Sequence, residues 1–158
     1  MTKKPFRSFS PDHRGVPGNP GRVVSLFPAD NPTDRVYGVA YEIRDDLWQQ
    51  SVEGQLDHRE KGGYSQRKVV FHASDDGDEL SEVVTVYIGK KDDPQYAGPD
   101  DLEVMARTIA TSVGPSGRNI DYLYNLADGL REMKIEDEHV KSLEDAVRKV
   151  DAENKSSS

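Results

Sequence analysis

Two stretches decide the fold. Glu82-Val83-Val84-Thr85-Val86-Tyr87-Ile88 is dense in β-branched side chains and reads as a strand. After a turn-rich interval comes Leu102-Glu103-Val104-Met105-Ala106-Arg107-Thr108-Ile109-Ala110-Thr111-Ser112-Val113. There Leu102, Met105, Ala106, Ile109 and Val113 fall on one helical face. Pro99 can take the first position of that helix. The chain therefore changes from strands to helices near residue 99.

Reading outward confirms the division. Upstream, Arg22–Phe27 is a short strand closed by Pro28, and 28–34 is a turn with two prolines. Val36–Ile43 reads as the next strand, with Gly38 marking a bulge or a close backbone approach. Asp45 suits an N-cap, and Trp48, Val52 and Leu56 follow at helical spacing to about Arg59. Gly62-Gly63 breaks the chain, Arg67–His72 is another strand, and 74–81 is an acidic loop. Downstream, Gly114-Pro115-Ser116-Gly117 ends the first helix. Ser116 can cap a second, carrying Ile120, Leu123, Ala127, Leu130 and Met133. Asp137 can cap a third, carrying Val140, Leu143, Val147 and Val150. Strands followed by helices give an α+β fold, a mainly antiparallel sheet covered by helices. Residues 1–11 read as an irregular lead-in, with proline- and glycine-rich chemistry continuing to residue 21. Residues 12–150 read as a single domain and 151–158 as a polar tail.

Composition excludes several classes. The chain has 158 residues, a formal net charge of −8 and no cysteine. The acidic balance argues against general nucleic-acid binding. The lack of cysteine removes disulfides, thiolate metal sites and a cysteine nucleophile, and it fits a reducing compartment. No apolar stretch approaches the roughly 18 residues of a membrane span, and no export signal is evident, so the expected location is the cytoplasm. His13, His58, His72 and His139 lack metal-ligand spacing. A phosphate loop, a dinucleotide fingerprint and a Gly-x-Ser-x-Gly elbow are also missing.

Some segments could carry chemistry. Leu56-Asp57-His58-Arg59-Glu60-Lys61-Gly62-Gly63-Tyr64 crowds charge against a double glycine, which allows close backbone approach to a ligand. An inward-turned Glu60 would have a raised pKa and could act as a base near neutrality. A solvated helix end capped by glycine is the ordinary reading of the same residues. Gly114-Pro115-Ser116-Gly117-Arg118-Asn119 could present free N–H groups to an anion, or could simply cap a helix. Asp12-His13-Arg14-Gly15 with Pro17–Gly21 could line a pocket or hold itself by local hydrogen bonds. Tyr96-Ala97-Gly98-Pro99 could place a hydroxyl at a pocket mouth or pack on a helix.

Taken together and in order, these segments resemble the ChaC family. The matching pieces are Asp12–Gly15, Pro20–Val24, Gly38–Tyr41, Arg59–Tyr64, Tyr96–Pro99 and Gly114–Asn119, and the 137–144 segment looks like the family's closing helix. The similarity runs over roughly residues 6–147. It implies a glutathione-specific γ-glutamylcyclotransferase, a lyase-class enzyme that cleaves glutathione to 5-oxoproline and cysteinylglycine. It also implies a small barrel-like sheet flanked by helices, with no metal or organic cofactor. Glutathione is the implied small-molecule partner; protein partners are left open. The family's acid/base glutamate falls on Glu60, with Gly62, Gly63 and Tyr64 shaping the site. Arg22, Tyr96, Arg118 and Asn119 are candidates for substrate carboxylates or amides, with His13 and Arg14 beside them. One departure stands out. The family normally starts with a strand and a Tyr-Gly-Ser-Leu loop well upstream of Asp-His-Arg-Gly. Here eleven residues precede Asp12, and no Tyr-Gly-Ser-Leu occurs. The expectation is a missing first strand. The alternative function is an inactive relative that binds a γ-glutamyl peptide or a protein.

Overall fold

Residues 2–10, expected to be irregular, form a strand. The computed structural model describes residues 2–28, 31, 35–44, 64–73 and 81–156. In it β1 (Thr2–Ser10) pairs with β2 (Gly21–Phe27) in a two-stranded sheet. The segment around Tyr96 runs antiparallel to β1: Phe9 N–H donates to Gln95 O at 2.8 Å and Ala97 N–H to Arg7 O at 2.7 Å. Basic and proline residues hide this strand from a pattern reading, but burial of Phe6 and pairing on tertiary partners override weak local preference.

The chain divides into two compact units, Lys3–Ser25 with Gln95–Ser158, and Leu26–Pro94 with Met1–Thr2. The first is the helical unit. It holds α1 (Leu102–Thr111), β5 (Val113–Gly114), β6 (Gly117–Arg118), α2 (Asn119–Glu132) and α3 (Glu138–Ser156). The apolar stripes read from the sequence meet in its core. Met105, Ala106 and Ile109 of α1 join Ile120, Leu123, Ala127 and Leu130 of α2 and Val140, Leu143, Val147 and Val150 of α3, with Phe6 among them. Each stripe buries apolar area at about 25 cal/mol per Å², the main force holding the helices together. Between α2 and α3, buried Glu144 accepts from Arg131 Nη1 at 2.8 Å and from Arg148 Nη2 at 2.7 Å.

Helix boundaries depart from expectation in specific ways. Asp137 caps α3, its Oδ1 accepting from Val140 N–H at 2.9 Å. The supposed polar tail continues this helix to Ser156, with Lys155 bonded to Asp151 at 2.6 Å, an i,i+4 pair. Pro99 does not start α1, which begins at Leu102 after Asp101. Ser116 does not cap α2. Val113 and Gly114 pair antiparallel with Arg118 and Gly117, so Pro115-Ser116 is a hairpin loop, and Gly117 takes a φ of 100° that suits glycine. Val113, expected on the apolar face of α1, lies in β5 and is 53% exposed.

The second unit contains β3 (Tyr64–His72) and β4 (Ser81–Gly89), an antiparallel ladder in register from Tyr64↔Gly89 to His72↔Ser81. Phe27 and Ile88 are buried there. A side chain at Gly89 would meet the Phe27 ring at 2.9 Å, so glycine lets the aromatic lie against the ladder. Residues 36–43 do not form the expected strand. Tyr37, Val39 and Tyr41 are 67%, 60% and 83% exposed, and no strand pairs with the segment among the described residues. Strand-forming residue types do not hold an extended segment without a ladder partner. The expected 45–59 helix, the Gly62-Gly63 break and the 74–80 acidic loop lie outside the described residues. The architecture is α+β. Among the described residues the strands form three separate two-stranded sheets, not a closed barrel.

Candidate active site

Three of the sequence motifs interlock in the helical unit, and glycines let them do so. A Cβ on Gly15 would collide with the backbone N of Gly21, and a Cβ on Gly114 with the carbonyl of His13. Asp-His-Arg-Gly therefore lies directly against both Pro-Gly-Arg and Gly-Pro-Ser-Gly. Ser116, freed from capping, donates its N–H to His13 O at 2.9 Å and brings its Oγ within 3.2 Å of His13 Nδ1. Ser112 Oγ donates to Pro20 O at 3.3 Å. The Arg14 guanidinium lies over the Tyr122 ring, 5.4 Å from its centroid, and its Nη1 donates to Arg118 O at 3.4 Å. Tyr122 also accepts from Val24 N–H through its hydroxyl at 3.3 Å. Arg118 faces Asp151 at 3.6 Å.

Arg22 and Asn119 are buried and committed to the framework. Asn119 bonds both backbone groups of Arg22: Oδ1 accepts from its N–H at 2.6 Å, and Nδ2 donates to its carbonyl at 2.8 Å. The Arg22 side chain is 1% exposed. Its Nη1 donates to Phe6 O at 3.3 Å, its Nη2 bonds the Asp100 carboxylate, and its guanidinium covers the Phe9 ring at 4.5 Å. Burial pulls the Arg22 pKa down, and the adjacent Asp100 carboxylate opposes that shift. Phe6, whose carbonyl this cation holds, has a φ of 56°, a left-handed conformation that is uncommon for a bulky residue.

The other expected site residues are placed as follows. Tyr96 is half-buried and bridged to Ser8 of β1. Tyr64 opens β3 opposite Gly89 in the strand-pair unit. Glu60, Gly62 and Gly63 lie outside the described residues. The structure thus brings His13, Arg14, Arg22, Arg118 and Asn119 together in the helical unit, with Tyr96 on the neighbouring side of β1. Asp100 and Tyr122 were missed by sequence reasoning. The signal for Asp100 was its place just beyond Tyr-x-Gly-Pro; Tyr122 carried none beyond its aromatic type. Among the described residues, no group of three or more His, Asp or Glu side chains is gathered as metal ligands would be.

The family model described as ChaC-like protein matches residues 2–150. The chain belongs to this family. Gamma-glutamylcyclotransferase 2-3 of Arabidopsis thaliana is 36% identical over 157 residues, covering 96% of this ChaC-like chain and 77% of that protein. The glutathione-specific gamma-glutamylcyclotransferase of Schizosaccharomyces pombe is 39% identical over 155 residues, covering 89% and 75%. The fold agrees with a crystal structure of a γ-glutamyl cyclotransferase specific to glutathione from yeast, at a TM-score of 0.78 and 28% identity, covering 91% of this chain and 82% of that one.

Proposed function

We propose that this ChaC-like chain is a glutathione-specific γ-glutamylcyclotransferase with Glu60 as its general acid/base. The observation that carries the activity is the near full-length similarity to proteins named for it. Glu60 rests on the Arg59-Glu60-Lys61-Gly62-Gly63-Tyr64 motif. The relatives' names favour catalysis over an inactive binding relative.

The chemistry follows from the substrate. Glutathione's α-amine is an ammonium at neutral pH and has no lone pair to use. The Glu60 carboxylate takes one of its protons. The amine nitrogen then attacks the γ-carbonyl carbon of the same glutamyl group, forming a five-membered ring. Holding the glutamyl chain folded raises the effective concentration of amine at that carbon by many orders of magnitude. Negative charge gathers on the carbonyl oxygen and calls for fixed N–H or side-chain donors. As the bond to the cysteinyl nitrogen breaks, protonated Glu60 returns its proton to that nitrogen; the ring nitrogen, still carrying two hydrogens after attack, then gives one to the freed Glu60 carboxylate, which passes it to the departing amine, so that cysteinylglycine leaves as an ammonium. The products are 5-oxoproline and cysteinylglycine, and the protein ends unchanged.

In this reading Gly62, Gly63 and Tyr64, which follow Glu60 in the motif, serve substrate binding with it. Tyr96 contacts the substrate, and Arg14, Arg118 and His13 offer cationic and donor groups for its carboxylates. Arg22 and Asn119 act as framework. A cytoplasmic location belongs to the proposal and fits a cysteine-free chain. Among the described residues, no helix is long and apolar enough to cross a membrane. The test is incubation of purified protein with glutathione, following 5-oxoproline. Product from the wild type and almost none from Glu60→Gln is the expected result. No product from the wild type would overturn the activity, and equal product from both would overturn the role of Glu60.

A further inference from the structure

We infer that Asp100 is a positioning residue that holds Tyr96 in place for glutathione; this rests on the cyclotransferase reading above. The segment from Gln95 to Asp100 is half-buried as far as Gly98 and exposed at Pro99 and Asp100. Its upstream half is fixed by β1, through Phe9 N–H to Gln95 O at 2.8 Å, Ala97 N–H to Arg7 O at 2.7 Å and the Ser8↔Tyr96 bridge. Past Ala97 that ladder stops. Gly98 turns the chain with a φ of 69°, and Pro99 follows. The next fixed point is the Asp100 carboxylate on Arg22.

Arg22 makes a firm anchor because its surroundings enclose it. It is 1% exposed, stacked on Phe9 and bonded to Phe6 O, and Asn119 holds its backbone on both sides. Asp100 is the one carboxylate within ion-pair distance of it among the described residues. The neighbouring helix α1 has no need of this pair, since Met105, Ala106 and Ile109 bury it independently. The ion pair therefore acts on the tyrosine loop. One flank of Tyr96 is held by strand hydrogen bonds and the other by a charge on a rigid cation, which narrows the positions its ring and hydroxyl can take. A side chain held this way loses little entropy on meeting substrate.

The test is steady-state kinetics of the full chain on glutathione. Asp100→Asn is expected to raise KM roughly 10-fold with kcat within about twofold, Tyr96→Phe to raise KM similarly, and the double variant to match either single one. A purely structural role would lower the fraction of folded enzyme, and so the apparent kcat, and leave KM alone. An unchanged KM in Asp100→Asn, or KM effects that multiply in the double variant, overturns the inference. If Asp100→Asn does not fold, Asp100→Glu decides: a raised KM supports positioning, and a wild-type KM overturns it. A wild-type protein that forms no 5-oxoproline overturns the cyclotransferase reading itself and is told apart by that control.

Discussion

The side-chain amide of Asn119 stands in for a neighbouring strand beside Arg22, accepting from its N–H at 2.6 Å and donating to its carbonyl at 2.8 Å. Both residues are buried. Asn119→Ala leaves two backbone groups without partners in a dry environment, at about 1–3 kcal/mol each. We expect a loss of about 3 kcal/mol, seen as a lower urea midpoint with an unchanged slope. Asn119→Asp should also destabilise, because a carboxylate cannot donate to the Arg22 carbonyl.

Glu144 joins α2 to α3 and gives stability a pH dependence. Its hydrogen bonds to Arg131 and Arg148 hold its pKa below the ordinary value, against the opposing effect of burial. The folded-state pKa thus lies below the unfolded one. The contribution is fully present above about pH 4.5 and fades as pH falls through the folded value. Because both arginines are more than half exposed, Glu144→Gln should cost only about 1 kcal/mol at pH 7. The gap between variant and wild type should close as pH drops below about 4. Urea unfolding at pH 7, 5 and 3 checks this; a gap that widens with acid contradicts it.

Lys134 is a non-glycine residue in a position made for glycine. It has a φ of 55° just beyond α2; its N–H donates to Arg131 O at 2.9 Å, and Ile135 N–H donates to Leu130 O at 2.9 Å. This is a Schellman closure, in which glycine normally follows the helix. Lys134→Gly should raise stability by about 0.5–1 kcal/mol, measured as a higher thermal midpoint.

The proposed chemistry requires a free amine and a carboxylate. Glu60→Gln should lower kcat by about 10³-fold, the usual scale of a lost acid/base group, with KM little changed. Glutathione acylated on its α-amine should yield no 5-oxoproline even with wild-type protein. Product from that blocked substrate would show that ring closure by the amine is not the route.

The helices were legible because each carries its own stripe: Leu123, Ala127 and Leu130 announce a buried face whatever lies opposite. The strands were less so. Val36–Ile43 has strand-forming side chains yet stands exposed, whereas β1, with Pro5 and several basic residues, became a strand because β2 and the Tyr96 segment pair with it. Strand formation is decided by partners, and sequence spacing does not show partners. Ser116 misled for a related reason. A serine before a helix suits a cap, but Gly114 and Gly117 allow a hairpin that delivers it to His13 instead. Of the candidate site, the motif residues themselves were legible, but not the division of labour between buried Arg22 and exposed Arg118. That division depends on Phe6, Phe9 and Asp100 closing over one arginine and not the other.

His13 meets Ser116 across 103 positions, and Arg22 meets Asn119 across 97. A ribosome therefore delivers His13 and Arg22 long before the residues that close over them, although β1 already has β2 to pair with. Until Asn119 has left the exit tunnel, the backbone of the arginine destined for the interior has water in place of that amide. Translation that stops short of that point leaves the inward-bound arginine without the amide that closes over its backbone, so a residue made early is completed only by one made late.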